Sequence, residues 1–384
     1  MFSVRIQDAT SMKTIVFNSN TLWSIVQFRL HIIKVLSQQY HIVCIGDNRY
    51  SEVQLEILTQ LGVEVVLLPL DKKSINPIKE LIYFFKLYKI YKRIKPDITI
   101  HYTIKPNIYG SLVSRVLNIK NIAVVTGLGS SYLQNNVITF LTKYLYTLAF
   151  AKARYIFFLN SEDRNYFLER KMVQINQVVM LPGEGVDTNL FPALRYSVDK
   201  EIVFVMVTRL LRDKGIYEYI EAIQNIADTI KAQFFLVGAY DFENPSAISE
   251  KEIQGWVAKG YITYLPPTKN ILSIYEMADV IVLPSYREGL SRVLLEAMSC
   301  ERFIITTNVV GCRELCDDEI NGFLVEAYDA NALAKAIEKA YMQGKESLYL
   351  MAKEGRKKVL KQYSSHIVCE MYDNIINDLL KKRF

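Results

Sequence analysis

From Lys13 onward, short runs of β-branched and aromatic residues alternate with longer runs of 3.6-residue period, a rhythm that few architectures satisfy. Strand followed by helix, repeated, is the pattern of βαβ units around a parallel sheet. Strands are expected over 14–18, 41–46, 63–69, 97–102, 121–126, 154–159 and 177–181. The passage PGEGVDTNLFPALRYSVDKE (182–201), rich in Gly, Pro, Asp and Asn, then interrupts the rhythm and reads as a linker. Alternation resumes at 201–209 and continues through 233–238, 261–265, 279–284 and 302–307 before the chain closes in helices. The spacing predicts an α/β protein of two doubly wound Rossmann-like domains, 13–182 and 201–363, with a linker at 183–200. A helical stretch, 364–384, is expected to pack back on the first domain. A length of 384 residues suits two cores of ordinary size. Doubly wound sheets bind ligands beyond the carboxyl ends of their strands, and two facing each other would enclose a cleft.

Composition removes several classes of function. With 51% apolar and 22% charged residues the chain is not a disordered one. A net charge of +6 from 46 basic and 40 acidic side chains is too balanced for a polyelectrolyte that coats nucleic acid. It leaves room for an anionic partner. The odd set Cys44, Cys300, Cys312, Cys316 and Cys369, with no secretory leader before it, points to a reducing cytoplasm. Cys312 and Cys316 have no histidine near them in sequence, so no metal site is expected. No run of about 18 apolar residues occurs, which predicts a soluble or peripheral protein without a membrane span. The first eleven residues lack periodicity and read as a start-site extension.

The loops narrow the chemistry further. TGLGSSY carries Gly127 and Gly129 but Tyr132 where a dinucleotide fingerprint needs its third glycine, and no Gly-Lys-Ser/Thr loop occurs. Neither hydride transfer nor phosphate-bond hydrolysis is indicated. The chain also lacks an Asp-x-Asp pair to bridge a metal to a diphosphate, so protein groups would have to neutralise one. Arg209 at the end of EIVFVMVTR, with Lys214 and Gly215 at the following helix start, supplies two cations and fresh backbone N–H donors at one strand-to-helix turn. By position this is an anion cradle. Solvated helix-start charges are the other reading of the same pair.

After DVIVLP, the segment SYREGLSRVLLEAMSC places Glu288 in a turn and Glu296 eight positions on, along a helix expected from about Leu290. On a 100° wheel the second carboxylate points within about 80° of the first, so both address one side. Glu296 sits among Val293, Leu294, Leu295, Ala297 and Met298, and a buried carboxylate there needs a partner such as a ribose diol. Alternatively it faces solvent and pairs with a nearby lysine. The stretch KELIYFFKLYKIYKRIKP (79–96) has six cations and one anion. Its wheel sets Lys79, Lys86, Lys89, Lys92 and Arg93 against Leu81, Phe84, Leu87, Tyr88, Tyr91 and Ile94. That layout fits an interfacial helix on an anionic membrane, and equally a crossover helix whose apolar side packs on the sheet. A weaker second candidate is YLYTLAFAKARY (144–155).

TRLLRDKG, followed by SYREGLSRVLLEA, resembles family 4 of the retaining GT-B glycosyltransferases, over Lys13 to about Tyr363. NSNTLWSIVQFR (18–29), YTIKPNIYGSL (102–112) and VTGLGSSY (125–132) are similar to the acceptor-side loops of a subgroup that builds polyprenyl-diphosphate-linked glycans. GAYDFENPSAIS and NVVGCRE resemble the α-N-acetylgalactosaminyl-type transferases of bacterial N-linked glycan and O-antigen assembly. The resemblance implies that Arg209 and Lys214 hold the donor diphosphate, Glu296 the ribose and Glu288 a hydroxyl of the transferred sugar. The amides of Gly289, Leu290 and Ser291 would meet the sugar and distal phosphate. Gly238, Leu265 and Pro266 would border the base, and Asn20, Arg29, His101, Lys105, Gly127 and Gly129 would lie on the acceptor side. His101 is open to two readings, a residue near the reacting carbon or a packed strand-end side chain. The implied cosubstrate is a UDP-sugar with no metal or other cofactor, and the implied site of action is the inner face of the plasma membrane. A sugar-nucleotide epimerase or phosphorylase of the same fold, or a catalytically silent assembly partner, are the alternatives.

Overall fold

A computed structural model describes residues 12–47, 52–71, 74, 76–128, 137–196, 201–242 and 244–381. The chain divides into two compact units, Met1–Glu184 with Val368–Phe384, and Gly185–Ile367.

In the first unit the strands are β1 (Thr14–Thr21), β2 (His41–Asp47), β3 (Glu64–Leu67), β4 (Ile98–Tyr102), β5 (Lys120–Val125), β6 (Tyr155–Phe158) and β7 (Val178–Met180). Its helices are α1 (Leu22–Leu36), α2 (Glu52–Gln60), α3 (Pro77–Ile94), α4 (Ser111–Val116), α5 (Val137–Phe150) and α6 (Ser161–Glu169). The sheet order is β3-β2-β1-β4-β5-β6-β7, with every pairing parallel. In the second unit the strands are β8 (Val203–Val207), β9 (Gln233–Val237), β10 (Thr263–Leu265), β11 (Val280–Leu283), β12 (Phe303–Thr307) and β13 (Gly322–Val325). Between and after them run α7 (Ile216–Ile226), α8 (Glu250–Ala258), α9 (Ile271–Met277), α10 (Arg292–Ser299) and α11 (Ala330–Lys358, kinked at Gly344). The order β10-β9-β8-β11-β12-β13 is again all parallel. The last helix, α12 (Ser365–Lys381), carries the chain back into the first unit.

The central strands show why the sequence reads as continuous apolar runs. Helices cover both faces, so Ile98, Thr99, Ile100, His101 and Tyr102 of β4 and all four residues of β11 are buried whichever way they point. Local signals set the ends of the helices. Asn76 accepts from the amides of Ile78 and Lys79 to start α3 with Pro77 in its first turn, and left-handed Lys95 stops it. Helices of such a fold end at the amino edge of the sheet, where cations offset their exposed carbonyls. Arg115 Nη1 donates to Leu148 O of α5 at 3.1 Å and Lys120 Nζ to Leu379 O of α12 at 2.6 Å.

Strand β13 was not legible in the sequence. It is four residues long, opens on a glycine and follows a turn held by Asn321, whose side chain accepts from Asp317 N and donates to Leu315 O. Gly322 permits a close approach, since a Cβ there would stand 2.6 Å from Ile304 O. The final helix is fastened by Tyr40 Oη to Asn377 at 3.2 Å, Tyr155 Oη to Asp378 at 2.6 Å and the Tyr102–Tyr372 hydroxyl pair at 3.0 Å.

Candidate active site

In each sheet the strand order reverses direction once, between β1 and β4 and between β8 and β11, so the loops leaving those neighbours diverge and open a crevice at the carboxyl edge. The second unit builds its charged cluster there. Tyr286 N donates to Asp213 O at 2.9 Å, joining the loop after β11 to the loop after β8. Gly215, with φ +77°, makes that approach possible, because a Cβ would lie 2.0 Å from Pro284 O. Lys214 is thereby drawn inward, and its Nζ meets Glu288 Oε1 at 2.7 Å with only 11% and 19% of the two side chains exposed. Ser285 Oγ donates to the same carboxylate oxygen at 2.9 Å.

Glu288 is aimed by its backbone rather than by a helix. The turn before α10 is braced by the loop after β12, with Glu288 N donating to Val310 O at 2.9 Å and Ser291 N to Gly311 O at 2.8 Å. A Cβ on Gly311 would meet Glu288 O at 2.5 Å. The helix begins at Arg292, two residues after Leu290, with Ser291 as its cap. The wheel relation expected between Glu288 and Glu296 therefore does not apply, since Glu288 lies outside the helix.

Glu296 is buried and doubly partnered. Arg292 Nε donates to Oε1 at 2.6 Å from one turn earlier, and Tyr275 Oη donates to Oε2 at 2.8 Å from α9. A carboxylate oxygen has a second lone pair, so each can take one further hydroxyl. Arg292 was findable from its spacing four residues before Glu296. Tyr275, twenty-one positions away on another element, carried no sequence signal.

Arg209 lies beyond the end of β8. Its side chain is 60% exposed, and Nη1 reaches Asp241 Oδ2 at 3.4 Å. Gly238, at the end of β9, is the close-contact point of this loop: a Cβ would fall 1.7 Å from Thr208 O. Gly238 N donates to Leu265 O at 3.3 Å and Tyr264 Oη to Gly238 O at 2.9 Å, which brings the loops after β9 and β10 together. Pro266 follows on the surface, and Gly289 and Leu290 are half-buried.

The first unit places its sequence candidates differently. Asn20 is half-buried at the end of β1, accepting from Ser24 Oγ at 3.3 Å. Arg29 is buried, paired to Glu184 at 2.5 Å, donating to Ser24 O at 2.8 Å and stacked 4.3 Å over the Tyr102 ring. His101 is fully buried, with Tyr91 Oη 3.1 Å from Nε2 and Ser111 Oγ 3.3 Å from Nδ1. Burial pushes its pKa down to about 3, so the ring is neutral. Lys105 Nζ spends its three hydrogens on Asp71 O, Ser74 O and Glu80 Oε1, at 2.7, 2.7 and 2.5 Å. Gly127 follows β5 with φ +128°, and Gly129 lies outside the described residues. Two polar groups the sequence did not single out, Asn18 Oδ1 and Asn107 Oδ1, are buried without a partner among the described residues.

Helix α3 buries Tyr83, Leu87 and Tyr91 against the sheet and half-buries Phe84, Tyr88 and Ile94. Leu81, expected on that apolar side, is instead exposed with Ile78, Ile82 and Phe85. On α5, Phe140, Leu141 and Tyr144 are exposed as well. No helix among the described residues is long and apolar enough to cross a membrane.

The two halves of the chain match two families separately. Residues 15–160 match the family described as glycosyl transferase 4-like, and residues 201–343 that described as glycosyl transferases group 1. Both matched segments are glycosyltransferase domains, and the chain is a glycosyltransferase of GT-B fold. It is similar to the N,N'-diacetylbacillosaminyl-diphospho-undecaprenol alpha-1,3-N-acetylgalactosaminyltransferase of Campylobacter jejuni, 28% identical over 95% of this chain and 98% of that one. A second relative is the UDP-Gal:alpha-D-GlcNAc-diphosphoundecaprenol alpha-1,3-galactosyltransferase of Escherichia coli, 25% identical over 79% of this chain and 81% of that one. Among solved structures, a glycosyltransferase from Rickettsia africae has the same fold, with a TM-score of 0.78 and 18% identity over 97% of this chain and all of that one. So has Anabaena HepE in complex with UDP, with a TM-score of 0.78 and 16% identity over 96% of this chain and all of that one.

Proposed function

We propose that this glycosyltransferase moves an N-acetylhexosamine or hexose, with retention, from a UDP-sugar to a saccharide carried on polyprenyl diphosphate. The observation that carries this reading is the Lys214–Glu288 pair at the β8/β11 switch point, with Arg209 on the adjoining loop. Lys214 and Arg209 oppose the charge of the donor diphosphate. The second oxygen of Glu288 accepts from a hydroxyl of the transferred sugar, and the amides of Gly289, Leu290 and Ser291 face the sugar and distal phosphate. Glu296, held by Tyr275 and Arg292, takes the ribose hydroxyls, and the Gly238 and Leu265–Pro266 loops border the base. Asn20 and Gly127 stand on the acceptor side.

The reaction is written as a front-face displacement. The acceptor hydroxyl oxygen bonds to the anomeric carbon while the bond from that carbon to the diphosphate oxygen breaks on the same face. The hydroxyl proton passes to the departing phosphate oxygen. Fixed cations then act where negative charge grows, which is the largest single contribution in sites of this type. No histidine is needed as a base, in keeping with the buried, neutral His101.

Two relatives named for undecaprenyl-diphosphate-linked substrates support the acceptor class. Metal independence rests on Lys214 and Arg209, two protein cations that supply the positive charge a departing diphosphate needs. A screen of nucleotide-sugars against short polyprenyl-diphosphate sugars, with chelator present and product read by mass spectrometry, tests both points. Hexosyl transfer from a UDP-sugar at undiminished rate is the expected result. Loss of transfer on chelation, restored by added magnesium or manganese, would overturn the metal-free scheme.

A lipid-carried acceptor requires the first unit to work at the cytoplasmic surface of the plasma membrane. Helix α3 offers exposed Ile78, Leu81, Ile82 and Phe85 beside Lys86 and Lys89, all outside the face used for packing. Apolar side chains at headgroup depth, with cations contributing about 1 kcal/mol each near anionic lipid, give reversible attachment. Reversing Lys86, Lys89 and Arg93 to glutamate is expected to release the protein from vesicles containing anionic lipid in a sedimentation assay. Unchanged sedimentation would place the attachment elsewhere.

A further inference from the structure

Both cations of the cluster carry carboxylates of their own, and the two pairs differ in kind. Lys214 is enclosed with Glu288, a residue the donor reading already uses. Arg209 is paired in the open with Asp241, which has no place in that reading. Asp241 is nevertheless delivered by a loop tied to its neighbours by hydrogen bonds. Asn244 N donates to Asp241 O at 2.8 Å to close a turn, Ser246 N donates to Asn244 Oδ1 at 3.0 Å, and Arg212 N donates to Ser246 O at 2.8 Å. Leu210 N donates to Ala239 O at 3.1 Å on the other side, and Ile248 N to Leu210 O at 2.9 Å. The 238–248 loop is thus laced onto the segment that bears Arg209, and Gly238 lets it approach Thr208. Tyr240 and Phe242, which flank Asp241, stack on each other with ring centroids 5.1 Å apart. The backbone thus holds the carboxylate near the guanidinium.

We propose that Asp241 is a competing counter-ion that occupies Arg209 until a nucleoside diphosphate replaces it, and reclaims it to release the nucleoside diphosphate product. The inference rests on the reading of Arg209 as a diphosphate ligand. A phosphate arriving at Arg209 must displace Asp241 and enters against its negative charge, so Asp241 lowers affinity for the diphosphate. It is a positioning residue, and its removal is expected to tighten binding, which a merely structural role would not do.

The test is calorimetric titration of the full chain with UDP. Asp241→Asn is expected to lower the Kd about three- to tenfold in dilute buffer, with the gain shrinking below about twofold in 0.5 M salt, where exposed charges are screened. Asp241→Glu, which keeps the charge, is expected to bind as the parent does. In an Arg209→Ala background the Asp241→Asn change is expected to lose most of its effect, the coupling a double-mutant cycle isolates. If Arg209→Ala weakens UDP but Asp241→Asn leaves the Kd unchanged or raises it, the counter-ion role is wrong while the donor reading stands. If Arg209→Ala itself leaves UDP binding intact, the donor reading fails first.

Discussion

Lys214→Ala is expected to lower kcat about 10²- to 10³-fold, the loss typical of removing one preorganised charge from a developing anion. The expectation follows from the enclosure of the ammonium. Lys214 is nearly buried, held 2.7 Å from Glu288 by loops whose approach depends on Gly215. A charge fixed in that way need not be organised during the reaction, and low solvent exposure keeps its field strong. Acceptor KM should change little, because the cation acts on the leaving group. Glu288→Gln retains the geometry but weakens the hold on both Lys214 and the sugar hydroxyl, and a smaller loss is expected. Steady-state kinetics together with a thermal melt separate the effects: a variant with normal melting and unchanged kcat would remove Lys214 from the chemistry.

Arg29→Ala is expected to destabilise the first unit by about 3–5 kcal/mol, the usual consequence of taking one partner from a buried ion pair. Glu184 would keep its charge with 11% of its side chain exposed and lose its bond to the guanidinium, while Tyr102 would lose the group stacked on its ring. Replacing both charges, Arg29→Met with Glu184→Gln, is expected to recover most of that loss, since neither variant side chain leaves an unpaired ion. Denaturant unfolding measures this. With two units in the chain the transition of the first must be resolved separately. Equal losses in the single and double variants would show that packing over Tyr102, not charge, is what matters.

Arg29 and Lys105 show where sequence reasoning reaches and where it stops. Arg29 stands in a motif that resembles an acceptor loop, yet its polar contacts run to Ser24 O and to Glu184, 155 positions away. Lys105 sits in a similar loop, yet all three of its hydrogens are taken by groups of the preceding loop and α3. A motif fixes the residue type and its position in the loop. Which neighbour the side chain meets is decided by the tertiary structure, which brings distant segments to the same place.

The amino-acid sequence alone determined the two runs of strand and helix, because burial on both faces of a parallel sheet forces continuous apolar segments, and it marked Lys214 and Glu288 as charges in strand-to-helix loops and Glu296 as a charge on the helix that follows. It did not mark β13, too short for its period to register. Only the tertiary structure decided that Lys214 faces Glu288, that Arg209 faces Asp241 and that Tyr275 and Arg292 hold Glu296. The reason is physical. Periodicity is a local property of the chain, whereas the partner of a charge is set by sheet order and by glycines such as Gly215 and Gly311, where a Cβ would meet the backbone of a distant loop.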